Sequence, residues 1–328
     1  MKYPIITLGS PHGIGYEIFL LSCLKTDDIS KNKKVIIGSL HVFKFFQELL
    51  QIQLDYTVIS FCDFKECNFN DKHILLIDVD ENAFNITKLS DITPFIDGSI
   101  ALKSIIHAAD LIERGFFSSM VTLPVSKENI NLIDSSFKGH TEYLMNFWHQ
   151  ENVFMSFISD SLNIMLLTTH VALHQVPKMI NEANLKTCFK FAELLLQKLG
   201  ESKPICLLGL NPHAGENGLM GNEEIVMKKV VKELNEKYKK NIVGPIPADT
   251  AFIPSNINKY GIYVASYHDQ GLIPFKMLAF DTGVNLSFGM KYIRTSVDHG
   301  TAVDIIGKKL AKTMSFEKAY DLAIKLSM

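Results

Sequence analysis

Cysteine, surplus charge and long apolar stretches are all scarce in this 328-residue chain. The five cysteines, Cys23, Cys62, Cys67, Cys188 and Cys206, are odd in number and scattered, with no CxxC pair. That argues against a disulfide framework and a cysteine zinc site, and for a reducing compartment. Lys and Arg (33) nearly balance Asp and Glu (35), giving a formal charge of -2. The basic footprint that a nucleic-acid backbone demands is missing, so no nucleic-acid partner is expected. No apolar run approaches the roughly 18 residues of a transmembrane helix. The opening Met1-Lys2-Tyr3-Pro4-Ile5-Ile6-Thr7-Leu8 reads as a first strand and lacks the ordered regions of a signal peptide, so a cytoplasmic protein is expected. No internal repeat, heptad or low-complexity tract is present, which excludes repeat architectures.

What is there is an ordinary globular composition, 47% hydrophobic and 21% charged. Short β-rich runs alternate with stretches of helical period, at Ile5–Leu8, Val35–Gly38, Ile74–Ile77, Met120–Leu123, Ile164–Leu167, Ile205–Leu208 and Ile262–Ala265. Runs apolar on both faces suit a sheet covered by helices on both sides, so the fold class is α/β. Asp97 to Gly115 reads as a helix with Leu102, Ile105, Ile106, Ala109 and Ile112 on one stripe, Asp97 as N-cap and Gly115 as stop. A last helix is expected from about Ser315. The irregular segments Gln53–Asn70 and Asn235–Asn258 are candidate boundaries.

In α/β folds ligands gather at strand carboxyl ends, and three such ends here carry a histidine: Thr168-Thr169-His170, Asn211-Pro212-His213-Ala214-Gly215-Glu216 and Tyr267-His268-Asp269-Gln270-Gly271. Three neutral imidazoles with an open fourth position are the arrangement of a catalytic divalent ion. Each histidine alone would more often be a loop or capping residue; the matched settings favour the metal. His174, four residues after His170, reads as a surface or packing histidine. Lys138-Gly139-His140-Thr141-Glu142 places His140 and Thr141 at an apparent helix start, where free N–H groups favour phosphate or carboxylate. Lys276, Asn285 and Arg294 stand in or beside later strand ends, and an arginine there can grip an oxyanion through two parallel bonds. Gly9-Ser10-Pro11-His12-Gly13-Ile14-Gly15 opens a helix after the first strand, yet fits neither GxGxxG nor a P-loop, and no GxSxG elbow occurs.

Together, Gly139-His140-Thr141-Glu142, Thr168-Thr169-His170, Gly209-Leu210-Asn211-Pro212-His213-Ala214-Gly215-Glu216, Pro247-Ala248-Asp249-Thr250, Tyr267-His268-Asp269-Gln270-Gly271 and Arg294-Thr295-Ser296-Val297-Asp298-His299-Gly300-Thr301-Ala302 resemble the 4-hydroxythreonine-4-phosphate dehydrogenase family of pyridoxal phosphate biosynthesis. The likeness runs in order over nearly the whole chain. It implies a two-domain isocitrate/isopropylmalate dehydrogenase-like fold with the active-site cleft between domains, and a homodimer with shared active sites. Residues 1–125 plus 265–328 would form the first domain, and 126–264 the second, with metal ligands and dimer contacts. The resemblance further implies a divalent metal on His170, His213 and His268, zinc foremost with magnesium or cobalt as alternatives, and a small phosphorylated substrate on His140, Thr141, Lys276, Asn285 and Arg294. His299, Gly300, Thr301, Ala302 and Asp304 resemble an adenosine-embracing loop that binds NAD or NADP without a Rossmann fingerprint. The chain departs from the family at Ser10, His12 and Tyr16, where an acid, a small residue and proline are usual.

The reaction implied is oxidation of the secondary alcohol of 4-phosphooxy-L-threonine to a β-keto acid, which loses carbon dioxide to give 3-amino-2-oxopropyl phosphate. A metal is called for because a bare alkoxide is too basic to form at neutral pH. Asp249 and Lys276 are the candidate proton-handling residues. Paralogues acting on D-threonate or D-erythronate 4-phosphate share the anion site. A metal-dependent phosphoester hydrolase, or a non-redox relative such as a phosphate acyltransferase or a decayed binding protein, is more remote.

Overall fold

The computed structural model describes residues 3–25, 33–65, 73–80 and 86–328. Cys67 and the end of the 53–70 segment, from residue 66, lie outside the described residues. The chain divides into two compact units, Met1–Glu151 with Met290–Met328, and Asn152–Gly289. Both chain ends therefore belong to one unit, while residues 126–151 join that first unit and 265–289 the second, unlike the expected division at 125 and 265. Neither the 53–70 nor the 235–258 segment is a boundary.

In the first unit, strands β1 (Pro4–Thr7), β2 (Lys34–Gly38), β3 (Thr57–Ser60), β4 (Ile74–Asp78) and β5 (Ser119–Thr122) alternate with helices α1 (Gly15–Lys25), α2 (Leu40–Leu50) and α3 (Pro94–Glu113). Short helices α4 (Lys127–Asn131) and α5 (His140–Phe147) follow and pack on α3, which is why residues 126–151 belong here. Every residue of β1 and β5 is buried, as a sheet covered on both faces requires. The N-cap of α3 is Thr93, whose side chain accepts from the Ile96 amide, with Pro94 in the first turn. Asp97 is therefore not the cap; it lies inside the first turn and turns its carboxylate into the protein. Gly115, at a φ of 83°, follows the helix end as expected.

The second unit runs β6 (Phe154–Ile158), β7 (Asn163–Leu166), α6 (Val176–Met179), α7 (Glu182–Leu199), β8 (Ile205–Leu208), α8 (Glu223–Tyr238), β9 (Ile242–Ile246), α9 (Ala248–Ala251), α10 (Pro254–Ile257), β10 (Ile262–Ala265), α11 (His268–Ala279) and β11 (Val284–Phe288). Its strand order is β11-β6-β7-β10-β8-β9. Only β6 runs against its neighbours, pairing antiparallel with both β11 and β7. Phe157, Ile164, Tyr263, Leu272 and Phe275 belong to its core, which pins α11 to this unit, and β11 is held to it by pairing with β6.

The chain then returns to the first unit with β12 (Ile293–Val297) and α12 (Met314–Ser327). β12 lies parallel against β5, completing the order β3-β4-β2-β1-β5-β12, parallel throughout. No helix among the described residues is long and apolar enough to cross a membrane.

Candidate active site

Because all six strands of the first unit run the same way, their carboxyl ends collect the loops at 9–14, 39, 79–80, 123–126 and 298–302. The 9–14 loop starts at Gly9, at a φ of 75°, where a Cβ would stand 2.2 Å from the Pro124 carbonyl oxygen. Asp97 holds the loop from beneath. Its buried carboxylate accepts from the His12 amide (2.6 Å), Ser10 Oγ (3.0 Å) and Asn129 Nδ2 (2.7 Å). Ser10 Oγ in turn accepts from the Ser126 amide (2.8 Å), and His12 Nε2 meets the Leu89 carbonyl (3.1 Å). Tyr16, stacked on Phe46, accepts from the Ser39 amide through its buried hydroxyl (3.0 Å). Of the three positions that depart from the family pattern, Ser10 and His12 are thus built into this loop's support, and Tyr16 ties α1 to the start of α2.

Arg294 on β12 is only 4% exposed. Its Nε and Nη2 donate to Thr122 Oγ1 on β5 (3.0 and 2.6 Å), and its Nη1 to Thr141 Oγ1 on α5 (3.4 Å). Burial pulls the guanidinium down to about 10, opposed by the Glu142 carboxylate. His140 is the first residue of α5, and its Nε2 is buried with no hydrogen-bond partner. Burial, and then the charges of Arg294 and Lys127, hold its pKa well below 6.5, so the ring is neutral at pH 7. A fixed guanidinium, a threonine hydroxyl and a neutral imidazole around the opening of a helix form a site for an oxyanion. Lys127 escaped the sequence reading, although it follows a strand end as the other candidates do.

The 299–304 loop packs on the first. The Ile14 amide donates to the Thr301 carbonyl (3.0 Å), and a Cβ on Gly13 would touch Thr301. His299 Nδ1 is 3.0 Å from the Gly300 carbonyl, while its Nε2 is buried without a partner. Gly300 has open space where a side chain would stand. Ala302 takes a left-handed φ of 45°, and Asp304 is exposed. An orphaned imidazole nitrogen beside open backbone fits a ligand with hydrogen-bonding edges, such as the adenosine half of a nicotinamide dinucleotide. Glu17 anchors the far end of the loop, accepting from the Gly307 amide (2.7 Å).

In the second unit β7, β10 and β8 are adjacent and parallel, so His170, His268 and His213 follow three neighbouring strand ends. The rings of His170 and His268 approach to 5.9 Å between centroids. His268 Nδ1 bonds Asp269 Oδ1 (2.7 Å), which leaves Nε2 as the ligating atom, as a metal-bound histidine is ordinarily oriented. The expected three-histidine cluster is not assembled: among the described residues no three His, Cys, Asp or Glu side chains gather to hold a metal. His213 is carried instead on a turn where His213, Ala214, Glu216 and Asn217 all have left-handed φ of 41–58°, a conformation costing roughly 1–2 kcal/mol at each non-glycine residue. Glu224 secures the turn, accepting from the Asn211 amide (2.7 Å) and Asn211 Nδ2 (2.9 Å). His174 is exposed in a short 3-10 turn and shares no helix face with His170.

Asp249, in the first turn of α9, lines a cavity of about 320 Å³ with Tyr267, Asp269, Phe252 and Ile273, which brings it beside the His268 segment. Lys276 is exposed further along α11. Asn285 on β11 leaves Oδ1 buried without a partner.

These features describe a two-unit α/β protein in which Arg294 of β12, Thr122 of β5 and the start of α5 make a candidate oxyanion site, while the imidazole pair and the open 299–304 loop follow strand carboxyl ends. A family model described as "Pyridoxal phosphate biosynthetic protein PdxA" matches residues 30–323, and the chain belongs to that family of dehydrogenases. It is 34% identical to D-threonate 4-phosphate dehydrogenase of Salmonella typhimurium, across 99% of both chains. It is 37% identical to 4-hydroxythreonine-4-phosphate dehydrogenase of Hydrogenobaculum sp., across 96% of both. The crystal structure of 4-hydroxythreonine-4-phosphate dehydrogenase from Klebsiella pneumoniae superposes with a TM-score of 0.81 at 30% identity, covering all of both chains.

Proposed function

We propose that this dehydrogenase oxidises the secondary alcohol of 4-phosphooxy-L-threonine with a nicotinamide dinucleotide and a divalent ion, in pyridoxal phosphate biosynthesis. The observation that carries this reading is the oxyanion site of buried Arg294, Thr141 and neutral His140. The names of the Hydrogenobaculum and Klebsiella relatives support the substrate class. We assign His140, Thr141, Lys276, Asn285 and Arg294 to the substrate. His140 Nε2, buried and lacking a partner, donates to a phosphoryl oxygen, and Asn285 Oδ1 accepts from the substrate's amino or hydroxyl group.

His299, Gly300, Thr301, Ala302 and Asp304 would hold the dinucleotide, NAD or NADP, which would supply the hydride acceptor. His170 and His268 would hold the ion, zinc foremost, with His213 as the expected third ligand although its turn does not gather it with the other two here; the ion would supply a Lewis acid that lowers the alcohol's pKa and stabilises developing negative charge. Asp249, beside His268, takes the hydroxyl proton while the carbinol C–H leaves as hydride. The resulting β-keto acid loses carbon dioxide; the electron pair of the broken C–C bond passes into the enolate, and a proton returned to carbon by Lys276 or Asp249 gives 3-amino-2-oxopropyl phosphate. A homodimer fits the apolar face of α11 and its end, where Ile273, Met277 (82% exposed), Leu278 and Phe280 (66% exposed) are uncovered.

The 34% match to a D-threonate 4-phosphate dehydrogenase over 99% of both chains favours a second reading, in which a sugar-acid phosphate is the substrate. Reduced-nicotinamide formation is measured with 4-phosphooxy-L-threonine, D-threonate 4-phosphate and D-erythronate 4-phosphate, after chelation and with zinc or magnesium restored. Metal-dependent turnover of the amino substrate is expected. Preference for a sugar acid establishes the second reading, and no turnover of any of the three overturns both.

A further inference from the structure

We infer that Lys127 is a further substrate-binding residue, whose ammonium engages the phosphoryl group over the opening of α5. This rests on the oxyanion reading above and adds a group outside the set drawn from the family resemblance. Lys127 is the first residue of α4, and that helix is rigidly placed. Ser126 caps it by accepting from the Asn129 amide (3.2 Å), the Ser126 amide donates to Ser10 Oγ (2.8 Å), and Asn129 Nδ2 donates to the buried Asp97 carboxylate (2.7 Å). The same carboxylate that supports the first loop therefore fixes the base of the lysine.

From there the side chain reaches the start of α5. Both Lys127 Nζ and Cε are 3.5 Å from the point where a Cβ on Gly139 would stand, and Glu142 Oε2 is 2.9 Å from the same point. Any side chain at 139 would crowd the lysine head and meet the carboxylate, so glycine keeps the space above the first amides of α5 open. Lys127 is close enough for its charge to act on His140, whose Nε2 is buried and without a partner. Two cations, Lys127 and Arg294, then face one carboxylate, Glu142, and a neutral imidazole. That surplus of positive charge suits a dianionic phosphoryl group better than a monoanionic carboxylate. Arg294 is buried and held by Thr122, so it fixes orientation; Lys127 is exposed on a flexible stem and adds attraction at the outer side.

The test uses the full-length protein, with Lys127→Met, Lys127→Arg and Arg294→Met, in steady-state kinetics and in calorimetric titration with inorganic phosphate. Lys127→Met is expected to raise both KM for the phosphorylated substrate and Kd for phosphate by about tenfold to a hundredfold, the scale of one charge-assisted bond, with kcat within about threefold. Lys127→Arg should recover most of that loss, which a merely structural role would not predict. If Lys127→Met leaves phosphate affinity and KM within about twofold while Arg294→Met loses both, the lysine has no part in binding and the inference is overturned. If phosphate fails to bind the wild-type protein and Arg294→Met changes nothing, the oxyanion reading itself falls, and this inference with it.

Discussion

Replacing Arg294 by methionine separates what the site costs the fold from what it gives to catalysis. Burial lowers the guanidinium to about 10, which corresponds to roughly 3 kcal/mol of penalty on its charged form. Its bonds to Thr122 and Thr141 are donated by a cation to neutral hydroxyls and are worth about 1.5 kcal/mol each. Methionine fills similar volume without charge, so these terms nearly cancel, and stability should stay within about 2 kcal/mol of wild type. Catalysis has no such offset. A dianion loses one or two charge-assisted bonds of about 1.5–3 kcal/mol each, so kcat/KM should fall by about tenfold to ten-thousandfold. Urea unfolding and initial rates of reduced-nicotinamide formation on the same preparation read both quantities. A variant with kcat/KM within about threefold of wild type, or one destabilised by about 4 kcal/mol or more, would refute the assignment of Arg294 to an anion rather than to the fold.

Three further outcomes are expected. His268→Ala should abolish zinc binding in equilibrium dialysis with the far-ultraviolet circular dichroism unchanged, and Asp269→Asn, which weakens the hold on His268 Nδ1, should lower zinc affinity about tenfold to a hundredfold; undiminished zinc affinity in His268→Ala would remove that residue from the metal site. His140 has a folded pKa below its ordinary 6.5, so the unfolded chain takes up the proton first as pH falls. Stability present above pH 6.5 is lost on acidification towards the folded pKa, at up to about 1.4 kcal/mol per pH unit, and His140→Asn should flatten this slope in denaturation curves between about pH 6.5 and 5. Asp97→Asn would turn an amide donor toward one or two of the three existing donors and should cost about 2–4 kcal/mol in denaturant unfolding; a loss under about 0.5 kcal/mol would show that the first loop does not depend on that carboxylate.

Strands buried on both faces announced themselves as continuous apolar runs, and all seven such runs are strands in the structure, each within a residue or so. The others are hidden by composition. β12 reads Ile-Arg-Thr-Ser-Val, yet its Arg, Thr and Ser are buried because they bond β5 and α12 rather than water. β9 contains Gly244-Pro245, and β3 alternates half-buried with exposed residues at the end of the strand order. Asp97 illustrates the limit of local reading: an acid near a helix start looks like a cap, but its partners are 32 to 87 residues away in sequence. The histidines were legible from strand-end position, whereas the left-handed turn that carries His213 depends on Glu224, a contact no periodicity reveals.

The placement of β12 and α12 has a consequence for how the protein is made. β5 pairs with β1 on one side and receives its second parallel neighbour only from residues 293–297, and α12 packs on β12, β5 and β1. The unit of residues 152–289 is contiguous and complete well before that, so it can fold as the chain leaves the ribosome, while β1–β5 wait for the last segment. Until then β5 presents an unpaired, wholly apolar-flanked edge, which is a template for association with other chains. Premature termination before residue 293 should therefore yield aggregate rather than a weakened enzyme, and slow translation of the final segment should lengthen the protein's dependence on chaperones.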